Sequence, residues 1–274
     1  MPASSSTSVE RKYMTTYAGK KVVITGGTHG IGMAVAERLL DGGAEVLITG
    51  RKEANLVAAK ERLAGRAAHV MRSDASNLDD IKELGRAVKN TLGEVDLVFV
   101  NVSRLHFGPL GHVDEQTYDD SFDTTTKGAF FTAQELAPLV RDGGAFVFTT
   151  AVAVGMGFVD TAVGTGMKSA IRGFVKVFAS ELLHRGIRVN AVSPGFIETP
   201  TMGVAEPTEE LIAAIEEEGG PMTPMNRFGT PDEVATAVLF LGFDATFTTG
   251  SELPVDGGLG EGLEKRVPDQ TFVR

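Results

Sequence analysis

The chain has 274 residues, 42% of them hydrophobic and 23% charged, the composition of a globular protein with a sizeable core. A net charge of −10 without any cluster of Lys and Arg argues against a nucleic-acid-binding surface. No run approaches the ~20 apolar residues of a membrane span, and the absence of cysteine excludes disulfides and thiolate metal sites.

The first seventeen residues, MPASSSTSVERKYMTTY, carry no apolar secretory segment, and their Ser/Thr richness predicts a disordered extension. A cytoplasmic location is the default expectation. From residue 21 onward, apolar runs rich in β-branched residues alternate with amphipathic segments. Strands are predicted at 21–25 (KVVIT), 45–49 (EVLIT), 68–72 (AHVMR), 96–101 (DLVFVN), 145–150 (AFVFTT), 187–192 (IRVNAV) and 252–255 (ELPV). Helical patterns follow, for example at 30–40, 52–63, 78–92 and 164–183. Continuous apolar strands joined through helices predict a parallel sheet covered on both faces. Right-handed crossovers make it a doubly wound α/β (Rossmann) sandwich of about seven strands. No linker interrupts the alternation, so one domain is expected at 18–260, followed by a tail at 261–274.

Between the first strand and helix the chain reads TGGTHGIG, residues 25–32. Gly26 allows a tight turn, Gly30 lets the backbone approach a pyrophosphate, and Gly32 lets helix and strand pack closely. Backbone N–H groups at the helix start, at the positive end of its dipole, favour an anion. Thr28 and Ile31 complete this phosphate-binding loop. His29 either helps to hold phosphate or is only a surface loop residue.

This arrangement resembles the short-chain dehydrogenase/reductase family, whose T-G-x-x-x-G-x-G motif matches residues 25–32. The resemblance continues through RVNAVSPG (188–195), NRFGTPDEVA (226–235) and TGSELPVDGG (249–258), covering roughly residues 18–258. It implies that Asp74 lies against the adenine, that Pro194 and Gly195 form a turn at the cofactor, and that Ile197 and Thr199 contact the nicotinamide amide. The family's Asn-Asn-Ala-Gly after the fourth strand reads here as Val100, Asn101, Val102 and Ser103. Asn101 survives, whereas Ser103 adds a side chain beside the expected cofactor path.

At the end of the second strand, where an acid would accept from the 2′-hydroxyl of NAD, the chain reads ITGRK. Arg51 can pair bidentately with a 2′-phosphate and Lys52 adds charge, so NADP(H) is the expected cofactor.

The catalytic pattern fails. The family pairs a tyrosine with a lysine four residues on, the lysine lowering the phenol's pKa so that the tyrosine can shuttle a proton. With Lys168 at the lysine position, Gly164 stands at the tyrosine's, and no tyrosine follows Tyr118. The family's serine falls on Ala151, with Thr150 able to replace it only if the loop carries one extra residue. Its helix asparagine falls on Thr125. The remaining candidates are Lys168, Thr150, and Ser103 and His106 of the loop after the fourth strand. A histidine exchanges protons near neutral pH, so His106 is either a general acid or a partly buried loop residue. Asp160 reads as a turn or capping residue, and His69, His112 and His184 as structural. Nothing suggests a metal site.

Two kinds of function follow. One is an NADP(H)-dependent ketoreductase or dehydrogenase with a displaced proton donor, Gly164 leaving a hole for a bulky carbonyl or alcohol substrate or a water; a non-redox enzyme with Lys168 polarising an enolisable substrate is a variant. The other is an inactive cofactor-binding subunit paired with an active member of the family. The resemblance implies a homodimer or homotetramer, or such a hetero-oligomer, through helices including 169–183. The segment 199–225, with an acidic helix and several methionines, reads as a lid over an adaptable apolar pocket.

Overall fold

The computed structural model describes residues 16–205 and 207–263. Four successive apolar or β-branched residues can all be sheltered only by a strand covered on both faces. That is the fate of β1 (Lys21–Thr25), buried from Val22 onward. It is flanked by β2 (Glu45–Gly50), β3 (Ala68–Arg72), β4 (Val95–Val100), β5 (Val140–Thr149), β6 (Arg188–Pro194) and β7 (Glu252–Val255). All seven are parallel, in the order β3-β2-β1-β4-β5-β6-β7. The winding reverses between β1 and β4, and the crevice beyond the carboxyl ends of these strands is where this topology places a ligand.

Alternation along each strand divides the core. Val22 and Ile24 join Phe99, Val147 and Val192 on one face, under α1 (Gly30–Asp41) and α8 (Pro231–Leu239). Val23 joins Val98, Phe146 and Phe148 on the other, under α3 (Leu78–Thr91), α5 (Gly128–Leu136) and α6 (Ala162–Leu182). The remaining helices are α2 (Glu53–Arg62), α4 (Glu115–Phe122) and α7 (Glu209–Met222), with a π-helical turn at Asp123–Lys127 joining α4 to α5.

Element ends depart from the periodicity where hydrogen bonds rather than apolar residues set them. β4 stops at Val100, so Asn101 opens the loop, and β5 starts earlier and ends at Thr149, so Thr150 lies just outside it. Helix α6 begins at Ala162, which places Gly164 in its first turn. The RVN of the sixth strand is structural. Arg188 donates to the carbonyls of Ala245 and Gly242 at 3.1 and 2.6 Å. The fully buried Asn190 donates to Thr248 O at 2.9 Å and accepts from Ser251 N at 3.1 Å, fastening the approach to β7.

The N-terminal boundary shifts too. Tyr17, assigned by composition to the disordered extension, is buried against Phe243 with ring centroids 5.1 Å apart, and its N–H donates to Gly42 O at 2.7 Å. The earlier part of that extension, and the tail from residue 264, lie outside the described residues. Tyr17→Ala should destabilise the fold by about 3 kcal/mol through the cavity it leaves. A urea unfolding midpoint unchanged from the parent would show that the domain starts later.

Candidate cofactor and catalytic cleft

The glycine turn is built by backbone geometry. Gly26 and Gly30 adopt φ of +65° and +54°, a region that favours residues without a Cβ. A Cβ on Gly32 would overlap the carbonyl oxygen of Gly26, and one on Gly30 would lie 3.2 Å from Thr199 Cγ2. Asn101 braces the turn. Its Nδ2 donates to Gly26 O at 3.1 Å, its Oδ1 accepts from the Thr149 hydroxyl at 2.9 Å, and its N–H donates to Thr25 Oγ1 at 3.1 Å. Helix α1 starts with no side-chain cap from His29 and no acid in its first turn, leaving its positive end to an external anion. Ile31 packs half-buried on the core behind it.

At the adenosine end, β2 finishes on Gly50, where a Cβ would approach Thr28 Oγ1 to 3.0 Å. Thr28 therefore closes this corner. Arg51 lies 3.9 Å from Asp74 Oδ2, while Asp74 Oδ1 accepts from Ser76 N and Oγ at 3.0 and 2.7 Å. His29 has its pKa lowered by desolvation and by the positive charge of Lys52. Arg51 and Lys52 follow directly on the end of β2, and Asp74 is held beside Arg51. At the other end, Gly195 must lack a side chain because a Cβ would come within 2.8 Å of Asp256 Cα. The buried Ile197 pairs with Gly229 in an isolated bridge, fixing Pro194, Gly195 and the root of the lid.

Lys168 lies on the buried face of α6 beside Met167, Gly164 and Ile171. Its Nζ donates to Thr149 O at 2.8 Å and forms no ion pair among the described residues. Burial lowers its pKa from 10.5 to about 7. Thr150, the candidate substitute for serine, is differently placed. Its buried hydroxyl lies 2.6 Å from Glu252 Oε1 and 3.0 Å from Val192 O, and Glu252 also pairs with Arg172 at 3.0 Å. Successive residues point to opposite faces, so Thr149, overlooked in the sequence, turns its hydroxyl to Asn101 instead.

The space over Gly164 is not a hole. A Cβ built on it would overlap Leu105 Cδ1, so the leucine occupies the path a residue-164 side chain would take. This overturns the expectation of room for a bulky substrate or water there. Leu105 pairs with Val204 of the lid in an isolated bridge, and its carbonyl accepts from Ala205 N at 2.7 Å. Thr125, fully buried in the π-helical turn, accepts from Arg104 N at 2.9 Å and so holds the same loop. Leu105 carries no chemistry that a motif search would flag, and its role depends on packing.

His106 and Asp160 line one small pocket with His112, Thr117 and Val163, next to Gly164 along α6. The Nε2 of His106 is buried without a hydrogen-bond partner among the described residues. Asp160 takes φ +62°, an uncommon conformation for a residue with a Cβ, and its carbonyl accepts from Gly108 N at 2.9 Å. Ser103 stands exposed on the loop. The structure therefore gathers Asn101, Thr149 and Lys168 at one point and His106 with Asp160 at another, and it diverts Thr150. Among the described residues no group of three or more acids and histidines is disposed to hold a metal, and no helix is long and apolar enough to cross a membrane.

The packing over Gly164 can be tested directly. Gly164→Tyr should destabilise the chain by roughly 1–3 kcal/mol through overpacking, and Leu105→Ala in the same chain should recover most of that loss. Urea unfolding of the single and double variants measures the coupling; additive effects would place Leu105 elsewhere.

Comparison with known proteins follows the same outline. The profile of the family described as enoyl-(acyl carrier protein) reductase matches residues 26–260. "Oxidoreductase asL5" of Sarocladium schorii is 36% identical over 250 residues, covering 89% of this chain and 96% of the relative. A 3-oxoacyl-[acyl-carrier-protein] reductase of Staphylococcus epidermidis is 30% identical, covering 88% and 98%. Among solved structures, a short-chain dehydrogenase/reductase of Brucella melitensis superposes with a TM-score of 0.81 at 27% identity, covering 88% of this chain and 97% of its own. A blue fluorescent protein from a metagenomic library, solved in complex with NADPH, gives 0.79 at 28% identity, covering 89% and 99%. With its fold, glycine turn and nearly full-length matches in agreement, the chain belongs to the short-chain dehydrogenase/reductase family of oxidoreductases.

Proposed function

We propose that the chain is an NADP(H)-dependent carbonyl reductase or alcohol dehydrogenase in which Lys168 and His106 take over the proton handling of the missing tyrosine. The observation that carries this reading is Lys168 itself, a buried amine held on Thr149 O at the floor of the cleft with no carboxylate paired to it among the described residues. A purely structural chain has no use for such a desolvated amine. NADP(H) fits the groups present. The uncapped start of α1 and Gly26–Gly32 would receive the pyrophosphate, and Arg51, Lys52 and His29 the 2′-phosphate. Asp74 would lie along the adenine, Asn101 and Lys168 along the nicotinamide ribose, and Pro194, Gly195, Ile197 and Thr199 along the nicotinamide. NADPH in a solved neighbour, and the reductase name of the Staphylococcus relatives, agree with this assignment.

When bound, the cofactor supplies the hydride. The protein's work is to hold the carbonyl and provide a proton to the oxygen as negative charge develops there. Lys168 supplies the fixed positive charge, and His106, whose Nε2 has no hydrogen-bond partner among the described residues, supplies the proton. Thr149 and Asn101 orient Lys168 and the turn, while Ser103 stands at the outer edge of the cleft and the Thr150 hydroxyl supports Glu252 rather than the substrate. Leu105 must rotate to admit the carbonyl.

A second reading is favoured by one observation. Because Leu105 fills the tyrosine's path, the chain also suits an inactive cofactor-holding subunit paired with an active family member. In either case we assign the subunit interface, of a homodimer, homotetramer or hetero-oligomer, to α5 and α6. Phe130, Phe174 and Phe178 form a ring cluster there with centroids 5.4–5.7 Å apart.

Lys168 makes the catalytic reading testable. Its ammonium form exists below about pH 7, so the rate of carbonyl reduction should fall as pH rises through that value. Lys168→Ala should abolish turnover, and Lys168→Arg, which stays charged, should remove this limb of the profile even at a lower rate. His106→Ala should lower kcat at least ~10²-fold. A silent His106→Ala would move the proton donor to Lys168 or water. No turnover in any variant except one carrying Gly164→Tyr, Ala151→Ser and Leu105→Ala would establish the inactive-subunit reading.

The cofactor assignment stands on the end of β2. NADPH should bind at least ~10-fold more tightly than NADH, and Arg51→Asp should reverse that order. Calorimetric titrations with equal affinities would remove the 2′-phosphate from this corner.

A further inference from the structure

Resting on the proton-handling reading of Lys168, we infer that Glu252 is a positioning residue of the site: through Thr150 it grips the peptide whose carbonyl holds Lys168, and through Arg172 the helix that carries Lys168. The two holds meet on one peptide plane. Thr149 O accepts from Lys168 Nζ at 2.8 Å, and the N–H of the same peptide unit, that of Thr150, donates to Val192 O at 2.9 Å. A peptide unit is rigid, so whatever fixes the Thr150 end sets the direction of the Thr149 carbonyl.

Glu252 fixes that end. The buried Thr150 hydroxyl donates to Glu252 Oε1 at 2.6 Å, and Oε2 of the same carboxylate lies 3.0 Å from Arg172 Nε. Arg172 stands four residues after Lys168 on α6, so the two side chains leave neighbouring points of one helix face. A closed ring results, made of Lys168, the Thr149–Thr150 peptide, Glu252, Arg172 and one turn of α6. Glu252 lies on β7 opposite Ala191 of β6, which anchors the ring in the sheet rather than in a loop.

The chemistry of the pair suits a clamp. A carboxylate bonded to a hydroxyl and facing a guanidinium makes charge-assisted contacts, roughly twice as strong as neutral ones and tightly directional. A partly buried ion pair adds little net stability over well-packed apolar residues, so its effect is felt in where its partners stand. The other charged groups beside it, Lys176, Asp256 and Glu261, line a cavity of about 340 Å³ between α6 and β7. Asp256 is committed to Gly258 N and Gly260 N at 2.9 and 2.8 Å, and among the described residues none of the three pairs with Glu252 or Arg172.

The test separates positioning from charge. In the full chain, Thr150→Val removes the hydroxyl and leaves every charge in place. Lys168 is followed by the carbon-13 signal of its ε-carbon, assigned through its loss in Lys168→Arg, and turnover by NADPH oxidation with para-nitrobenzaldehyde. A carbonyl freed from the ring supports the ammonium less, so the titration midpoint of Lys168, about 7 in the parent, should move down by roughly one pH unit in Thr150→Val and in Glu252→Ala. In both, kcat should fall ~10–10²-fold with KM little changed. The double variant should be no worse than Glu252→Ala, because each change breaks the same ring. Thr150→Ser, which keeps the hydroxyl, should restore both readings, and Thr150→Ala replaces the valine variant if that one does not fold. A midpoint unmoved by loss of the hydroxyl, an unchanged kcat, or additive losses in the double variant overturns the inference while leaving carbonyl reduction standing. A midpoint that moves as expected in a chain that binds NADPH but reduces no aldehyde supports the ring and counts against the carbonyl-reductase reading instead.

Discussion

Asn101 ties the ends of three strands to one turn, and the site depends on that knot. Its amide carries Gly26 O on one side and the Thr149 hydroxyl on the other, and its backbone takes Thr25 Oγ1. These bonds span the point where the sheet reverses its winding, the one place where strand ends splay and leave a crevice. Each is an ordinary hydrogen bond, contributing about 1 kcal/mol on its own. Their importance is geometric. Through Gly26 they set the left-handed backbone that turns amides toward a phosphate. Through Thr149 they set the carbonyl on which Lys168 rests.

Lys168 is costly to keep. A buried amine with a single carbonyl partner loses hydration that one hydrogen bond does not replace, and its pKa falls to about 7 as a result. In a cleft with a tyrosine beside it, such a lysine acts on a phenol. Here the first turn of α6 presents Gly164, and the leucine from the loop after β4 lies over it. The first turn of α6 and the loop after β4 are therefore packed together, with Leu105 filling the space over Gly164 and Thr125 holding the loop through Arg104 N.

The same loop is fastened to the lid through Leu105 O and Ala205 N, and Thr199 at the lid's root lies over Gly30. The loop after β4 and the glycine turn thus both contact one stretch of chain, residues 199–205.

The fold was legible in the sequence because unbroken apolar strands demand cover on both faces, whatever the details. The glycine turn was legible because backbone requirements at Gly26, Gly30 and Gly32 are written as glycines. That Gly164 stands four residues before Lys168 was legible directly. Tertiary structure alone decided what lies over it. Leu105 is an ordinary apolar residue whose meaning comes from lying over Gly164, 59 residues further along the chain. Whether Thr149 or Thr150 faces Asn101 turned on where β5 ends, a one-residue matter that strand alternation converts into opposite faces. Tyr17 was hidden by its neighbours' composition, since a single aromatic ring that docks on Phe243 leaves no periodic signal. Local chemistry is fixed by residue type, but contacts between distant segments exist only once the sheet has brought their ends together.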